Sequence, residues 1–205
     1  MNRWPRVSNR KGPARLSMRH DLEKSGRRSI RLDGYDYGQS GAYFVTICTH
    51  NRVCLFGEVI DGRMRLNECG RIALNEWRLT PHVRPNVRLD AHVVMPNHVH
   101  GVVDIVRRSE TDRERCRGVS QHAPTGETDE LRTPSQTIGA IVRGFKGAAT
   151  RRINRFRGAP GEPVWQRNYY EHIIRNRRSL ERIRQYIEVN PARWHRNRNH
   201  PRRFT

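Results

Sequence analysis

The stretch Met95-Pro96-Asn97-His98-Val99-His100-Gly101-Val102-Val103 carries the side chains in this sequence best suited to hold a divalent ion. Successive side chains of a strand alternate faces, so His98 and His100 project together while Val99 points the other way. Ordinary polar-face histidines share that spacing, so the pair needs partners before it means chemistry. A second pair lies in Arg182-Ile183-Arg184-Gln185-Tyr186-Ile187-Glu188-Val189-Asn190-Pro191. Tyr186 and Asn190 are four apart and share one helix face, with Ile183 and Ile187 forming the packed stripe. A phenol and an amide placed this way can serve one site. Taken singly, Tyr186 reads as a half-buried aromatic and Asn190 as a helix C-terminal residue before proline.

Strands and helices must bring these pairs together. Ala42–Thr49 is β-branched and aromatic, as a buried strand should be. Glu58-Val59-Ile60 and Arg63-Met64-Arg65-Leu66 flank Asp61-Gly62 and predict a hairpin. Leu66 to Leu79 has helical spacing and Pro81 is expected to stop it. Val87–Met95 and His98–Val106 predict two antiparallel strands joined at Pro96-Asn97. Ser135 is the expected cap of a helix carrying Ile138, Ile141, Val142, Phe145, Ala148, Ala149 and Ile153, which ends near Gly158. A strand-like segment runs from Val164-Trp165 through Tyr169–Ile174, and a last helix spans Ser179 to Asn190 before Pro191. The order strand, helix, strand, strand, helix, strand is the α+β, ferredoxin-like split βαβ arrangement, an antiparallel sheet with helices on one face and an extra C-terminal helix.

Composition narrows the partner. The 205 residues suit one domain with arms. Forty Lys+Arg against 20 Asp+Glu leave a net charge of +20, and since Lys11, Lys24 and Lys146 are the lysines, 37 of the 40 are arginine. Guanidinium forks grip phosphate and stack on bases, which points to nucleic acid. Residues 1–34 read as a basic N-terminal arm, 35–195 as the domain with a polar insert at 107–134, and 196–205 as a basic tail. On the helix after the insert, Arg143, Lys146, Arg151, Arg152 and Arg155 form a basic stripe opposite the apolar positions, suited to tracking phosphate, and Arg167 adds to it. Trp165 is either a base-stacking or a core residue. Neither an apolar run of about 18 residues nor a signal-peptide core is present, which predicts a cytoplasmic protein. Cys48, Cys54, Cys69 and Cys116 read as reduced, with zinc binding by Cys48, His50 and Cys54 the lesser alternative.

The motif at 95–103, the run Val164-Trp165-Gln166-Arg167-Asn168-Tyr169-Tyr170-Glu171-His172-Ile173-Ile174-Arg175-Asn176 and the stretch Tyr186–Pro191 together resemble the REP-associated tyrosine transposases. These are relatives of the single-strand insertion-sequence transposases within the HUH class of one-tyrosine DNA nucleases. The resemblance covers about residues 35–195. It implies an enzyme that cuts and joins single-stranded DNA near a hairpin through a 5′-phosphotyrosine. By position it makes Tyr186 the nucleophile and His98, His100 and Asn190 the ligands of a metal, for which ligand chemistry suggests Mg²⁺ or Mn²⁺. Tyr169 and Tyr170 compete for the nucleophile's role, but neither has an amide at helical distance. His172 is a candidate neighbour of the site, and Glu171 and Glu188 read as solvated. The expected partner is single-stranded or hairpin DNA, with the chain acting as monomer or homodimer. A non-catalytic single-strand binding module and a metal phosphodiesterase using water are the alternatives.

Overall fold

Central strand β1, Gly41–Cys48, holds the molecule together, as its buried run Tyr43 to Cys48 requires. The computed structural model describes residues 40–106 and 137–201. The expected N-terminal arm, the 107–134 insert and residues 202–205 lie outside them. After β1 a short hairpin forms from β2, Gly57–Ile60, and β3, Arg63–Leu66. Its turn residues Asp61 and Gly62 both have positive φ, at 50° and 71°, as a two-residue hairpin turn demands.

Helix α1, Glu68–Val83, starts at Asn67, whose side chain accepts from Gly70 N at 3.0 Å. It runs through Pro81 instead of stopping there. The proline sits in the last turn, where it forfeits one hydrogen bond, and Arg84 N to Thr80 O at 2.9 Å closes the end. Arg84 also donates to Ala140 O at 3.1 Å, tying this end to the next helix. Strands β4, Val87–Met95, and β5, His98–Ile105, follow as an antiparallel pair. Helix α2, Ile138–Arg157, is capped by Thr137 Oγ1, which accepts from Ala140 N at 3.2 Å, so Thr137 takes the place expected of Ser135. It ends on Gly158 at φ 62°.

The strand-like segment from Val164 contributes a single bridge, Thr49 to Trp165, and the true strand β6 is Tyr170–Ile174. Helix α3 is Arg177–Glu188, capped by Asn176, so it begins before Ser179 and ends before Asn190. Pro191 does not break the chain's helical course there. It opens a 3-10 helix, Pro191–Arg196, where its missing N–H and fixed φ fit the first position.

The main sheet has the order β4-β5-β1-β6, antiparallel throughout. Together with the element order this is the ferredoxin-like split βαβ fold. Strand alternation sends Gly101 toward α1, where a Cβ would lie 2.3 Å from Trp77 Cζ2, and Trp77 packs edge-on against Phe145 of α2 at 5.1 Å. His98 and His100 face the other way. There α3 covers the sheet, so α1 and α2 share one face and the appended helix takes the opposite one. None of the helices among the described residues is long and apolar enough to cross a membrane.

Candidate active site

The β1–β5 register places Cys48 opposite His98 and Thr46 opposite His100, so both imidazoles rise from the centre of the sheet. They are 0% and 1% exposed. Their Nε2 atoms lie 3.0 Å apart. On the outer sides, His98 Nδ1 meets Asn97 Oδ1 at 2.8 Å and His100 Nδ1 meets Thr46 Oγ1 at 2.9 Å. Burial, with the neighbouring charges of His100 and Arg52, holds His98 well below its ordinary 6.5. Burial also pulls His100 down to about 3, opposed by a hydrogen bond to the Val45 backbone and assisted by Arg198. Both rings are therefore neutral at physiological pH, the form a metal ligand needs.

Tyr186 projects from α3 onto this pair, its hydroxyl 3.3 Å from His100 Nε2. Phe44 packs against both rings, stacked on His100 at 5.3 Å and edge-on to Tyr186 at 6.1 Å. Burial raises the phenol's pKa above its ordinary 10, tempered by a hydrogen bond from Asn190 and by Arg198. Asn190, 2% exposed, accepts from Asn197 Nδ2 at 2.8 Å through its own Oδ1. Asn197 Oδ1 accepts from Asn199 N at 2.8 Å, and Asn199 O accepts from Asn97 Nδ2 at 2.8 Å. Asn97, His98, His100, Tyr186, Asn190, Asn197 and Asn199 thus form a closed ring of polar contacts. Residues 196–201, read above as the start of a basic tail, are folded into the site here, because two buried asparagines anchor them.

The donor set suits a cation. With ring protons on the outer nitrogens, two bare Nε2 lone pairs face each other at 3.0 Å and repel unless a proton or cation lies between them. That separation is also the spacing of two ligands at right angles about an ion with bonds of about 2.1 Å. Asn190, one helical turn from Tyr186, hydrogen-bonds that phenol, and its amide oxygen is a neutral donor that here accepts from Asn197 Nδ2. The Cys48, His50 and Cys54 alternative fails, because Cys48 is buried while His50 and Cys54 face solvent. No cluster of three or more His, Cys, Asp or Glu among the described residues could hold a metal.

The remaining sequence candidates separate cleanly. Tyr169 donates to Glu171 Oε2 at 2.7 Å, and Tyr170, opposite Thr46 in the β1–β6 register, lies edge-on to Phe44 at 6.4 Å with 37% of its surface exposed. His172 sits opposite Phe44 in the β1–β6 register, half-buried, and Glu188 is exposed. Trp165 is a core residue, packed between Phe56 and Phe145. Arg143, Arg151, Arg155 and Arg167 are exposed, and Arg152 pairs with Glu76 at 2.6 Å. Lys146 departs from the expected stripe. Its ammonium donates to the carbonyls of Gln166, Arg167 and Asn168 at 2.9, 3.3 and 3.2 Å, and burial pulls its pKa down to about 8. Residues that sequence reasoning missed are Thr46, Asn97, Asn197 and Asn199. The available signals were an asparagine directly before the first histidine and the alternation Asn197-x-Asn199 in a tail otherwise rich in arginine.

The fold is one seen before. It matches a REP-associated tyrosine transposase solved bound to a REP hairpin, with a TM-score of 0.50 over 83% of this chain and 74% of that one; at 18% identity this is a likeness of fold. A Deinococcus radiodurans protein superposes more loosely, at 20% identity and a TM-score of 0.42 over 80% of this chain and 95% of that one. By sequence the chain belongs to the same family as an uncharacterized protein of Haemophilus influenzae, 44% identical over 168 residues, 82% of this chain and 89% of that protein. No family model matches it.

Proposed function

We propose that the chain is a REP-associated tyrosine transposase, a divalent-metal-dependent endonuclease and strand transferase that cuts single-stranded DNA near a hairpin. The observation that carries this reading is the Tyr186 hydroxyl 3.3 Å from a histidine whose Nε2 is itself 3.0 Å from a second. His98, His100 and Asn190 would hold Mg²⁺ or Mn²⁺, which when bound supplies polarisation of the scissile phosphodiester. Tyr186 is the nucleophile. Its oxygen forms a bond to phosphorus as the bond to the 3′ oxygen breaks, leaving a 5′-phosphotyrosine and a free 3′ hydroxyl. The covalent bond stores the energy needed for rejoining, so no nucleotide is consumed. Asn190 hydrogen-bonds the phenol from its own helix, and Phe44 packs edge-on against the phenol ring. Arg143, Arg151, Arg155 and Arg167 supply charge for the DNA backbone.

The test is incubation of labelled single-stranded hairpin DNA with the protein and Mg²⁺ or Mn²⁺, followed by denaturing electrophoresis. The expected product is a denaturation-resistant adduct on the 5′ end of the cut strand. Cleavage with both ends free would make water the nucleophile. Binding without any cleavage would leave a DNA-binding module.

A further inference from the structure

Asn97 is fully buried and uses its whole amide. Nδ2 donates to two carbonyls, Arg52 O at 2.9 Å and Asn199 O at 2.8 Å. Carbonyls only accept, so the amide can sit one way round, with Oδ1 turned to His98 Nδ1 at 2.8 Å. An amide oxygen also only accepts. His98 must therefore carry a proton on Nδ1.

The surroundings make that orientation costly to lose. Asn51 and Arg52 both lie in the left-handed region, at φ 49° and 55°, which non-glycine residues rarely adopt and which turns the Arg52 carbonyl in toward Asn97. The Arg52 guanidinium in turn hydrogen-bonds the side chain of Asn199, whose carbonyl is the second acceptor. Backbone strain on one side of the amide and an anchored segment from the end of the chain on the other converge on a single side chain.

We propose that Asn97 is a positioning residue that sets the tautomer of His98, holding the ring proton on Nδ1 and presenting Nε2 as a bare lone pair beside His100 Nε2. The use of that lone pair as a metal ligand rests on the transposase reading, whereas the tautomer stands without it. Long-range proton–nitrogen correlation spectra of the imidazoles read it directly. In the wild-type protein His98 Nδ1 should be protonated and Nε2 bare. Asn97→Ala removes the acceptor, so the proton should move to Nε2, where His100 Nε2 offers an acceptor, and the Kd for Mn²⁺ should rise about 10- to 100-fold. Asn97→Asp keeps an acceptor and should keep the Nδ1 proton, which provides a second reading should the alanine variant fold poorly. A His98 that retains Nδ1–H in Asn97→Ala, or loses it in Asn97→Asp, overturns the proposal. A tautomer that shifts as expected in a protein that binds no Mn²⁺ upholds Asn97's role and removes the metal reading instead.

Discussion

Arg184 grips Asp90 through three hydrogen bonds, Nε to both carboxylate oxygens at 3.1 Å and Nη2 to Oδ2 at 2.7 Å, and so ties α3 to strand β4 across the sheet from the core helices. Tyr186 stands two residues along the same helix. The pair is partly exposed, so Arg184→Ala should lower Tm only slightly. Its larger effect should fall on cleavage, reducing kcat on the order of tenfold or more through a displaced phenol. Because the hydrogen bonds from Arg184 hold Asp90 below its ordinary 3.8, the folded state binds that proton less readily than the unfolded chain. The pair's contribution is thus complete above about pH 4 and disappears as pH falls through the lowered value. Denaturation curves of wild type and Asp90→Asn should converge in that acidic window.

Trp77 occupies the space above Gly101 so fully that an added Cβ would come within 2.3 Å of its ring. Gly101→Ala should cost about 1–3 kcal/mol in urea denaturation, since Trp77 is fully buried and packed on Phe145. An unchanged midpoint would mean that the sheet and α1 are not packed as described.

Lys146 and the arginines of α2 should behave as two kinds of residue. Lys146→Met leaves three carbonyls without their donor and should destabilise the fold by about 1.5–3 kcal/mol, with little change in the salt dependence of DNA binding. Arg143→Ala and Arg155→Ala remove exposed charge, and each should leave stability within about 0.5 kcal/mol. Each should also flatten the slope of log affinity against log salt by about 0.7–0.9. Equal slopes for all three variants would return Lys146 to the DNA-contacting group.

Substitution of the three candidate tyrosines separates nucleophile from scaffold. Tyr186→Phe should abolish both adduct and cleavage while costing about 0.5–1.5 kcal/mol of stability for the lost hydroxyl contacts. Tyr169→Phe and Tyr170→Phe should still form the adduct. His98→Ala, His100→Ala, or removal of divalent ions with a chelator should lower cleavage by about a thousandfold or more, yet leave DNA affinity nearly intact. Adduct formation by Tyr186→Phe, read on a denaturing gel, would move the chemistry to another residue.

Local pattern made much of this molecule legible. The β-branched run at 42–49, the Asp61-Gly62 turn and the helical spacing of α2 each state their structure within a few residues, and strand alternation alone puts His98 and His100 on one face. Boundaries were less clear where a side chain's role depends on its neighbours. Pro81 reads as a stop until its place in the final turn is known, and Thr137 is indistinguishable from Ser135 as a cap before the chain's direction is set.

Strand and helix order, the paired histidines and the phenol one helical turn from an amide are all written in local spacing. The packing of distant segments decided that Tyr186 meets His100, because that contact spans 86 positions and depends on α3 crossing the far face of the sheet. It also decided that the Lys146 ammonium meets three carbonyls of the 166–168 segment. Asn199 closes the circuit on Asn97 across 102 positions, a contact no local period can encode. Spacing reports which face a side chain takes, but the partner it meets there is set by how distant segments pack.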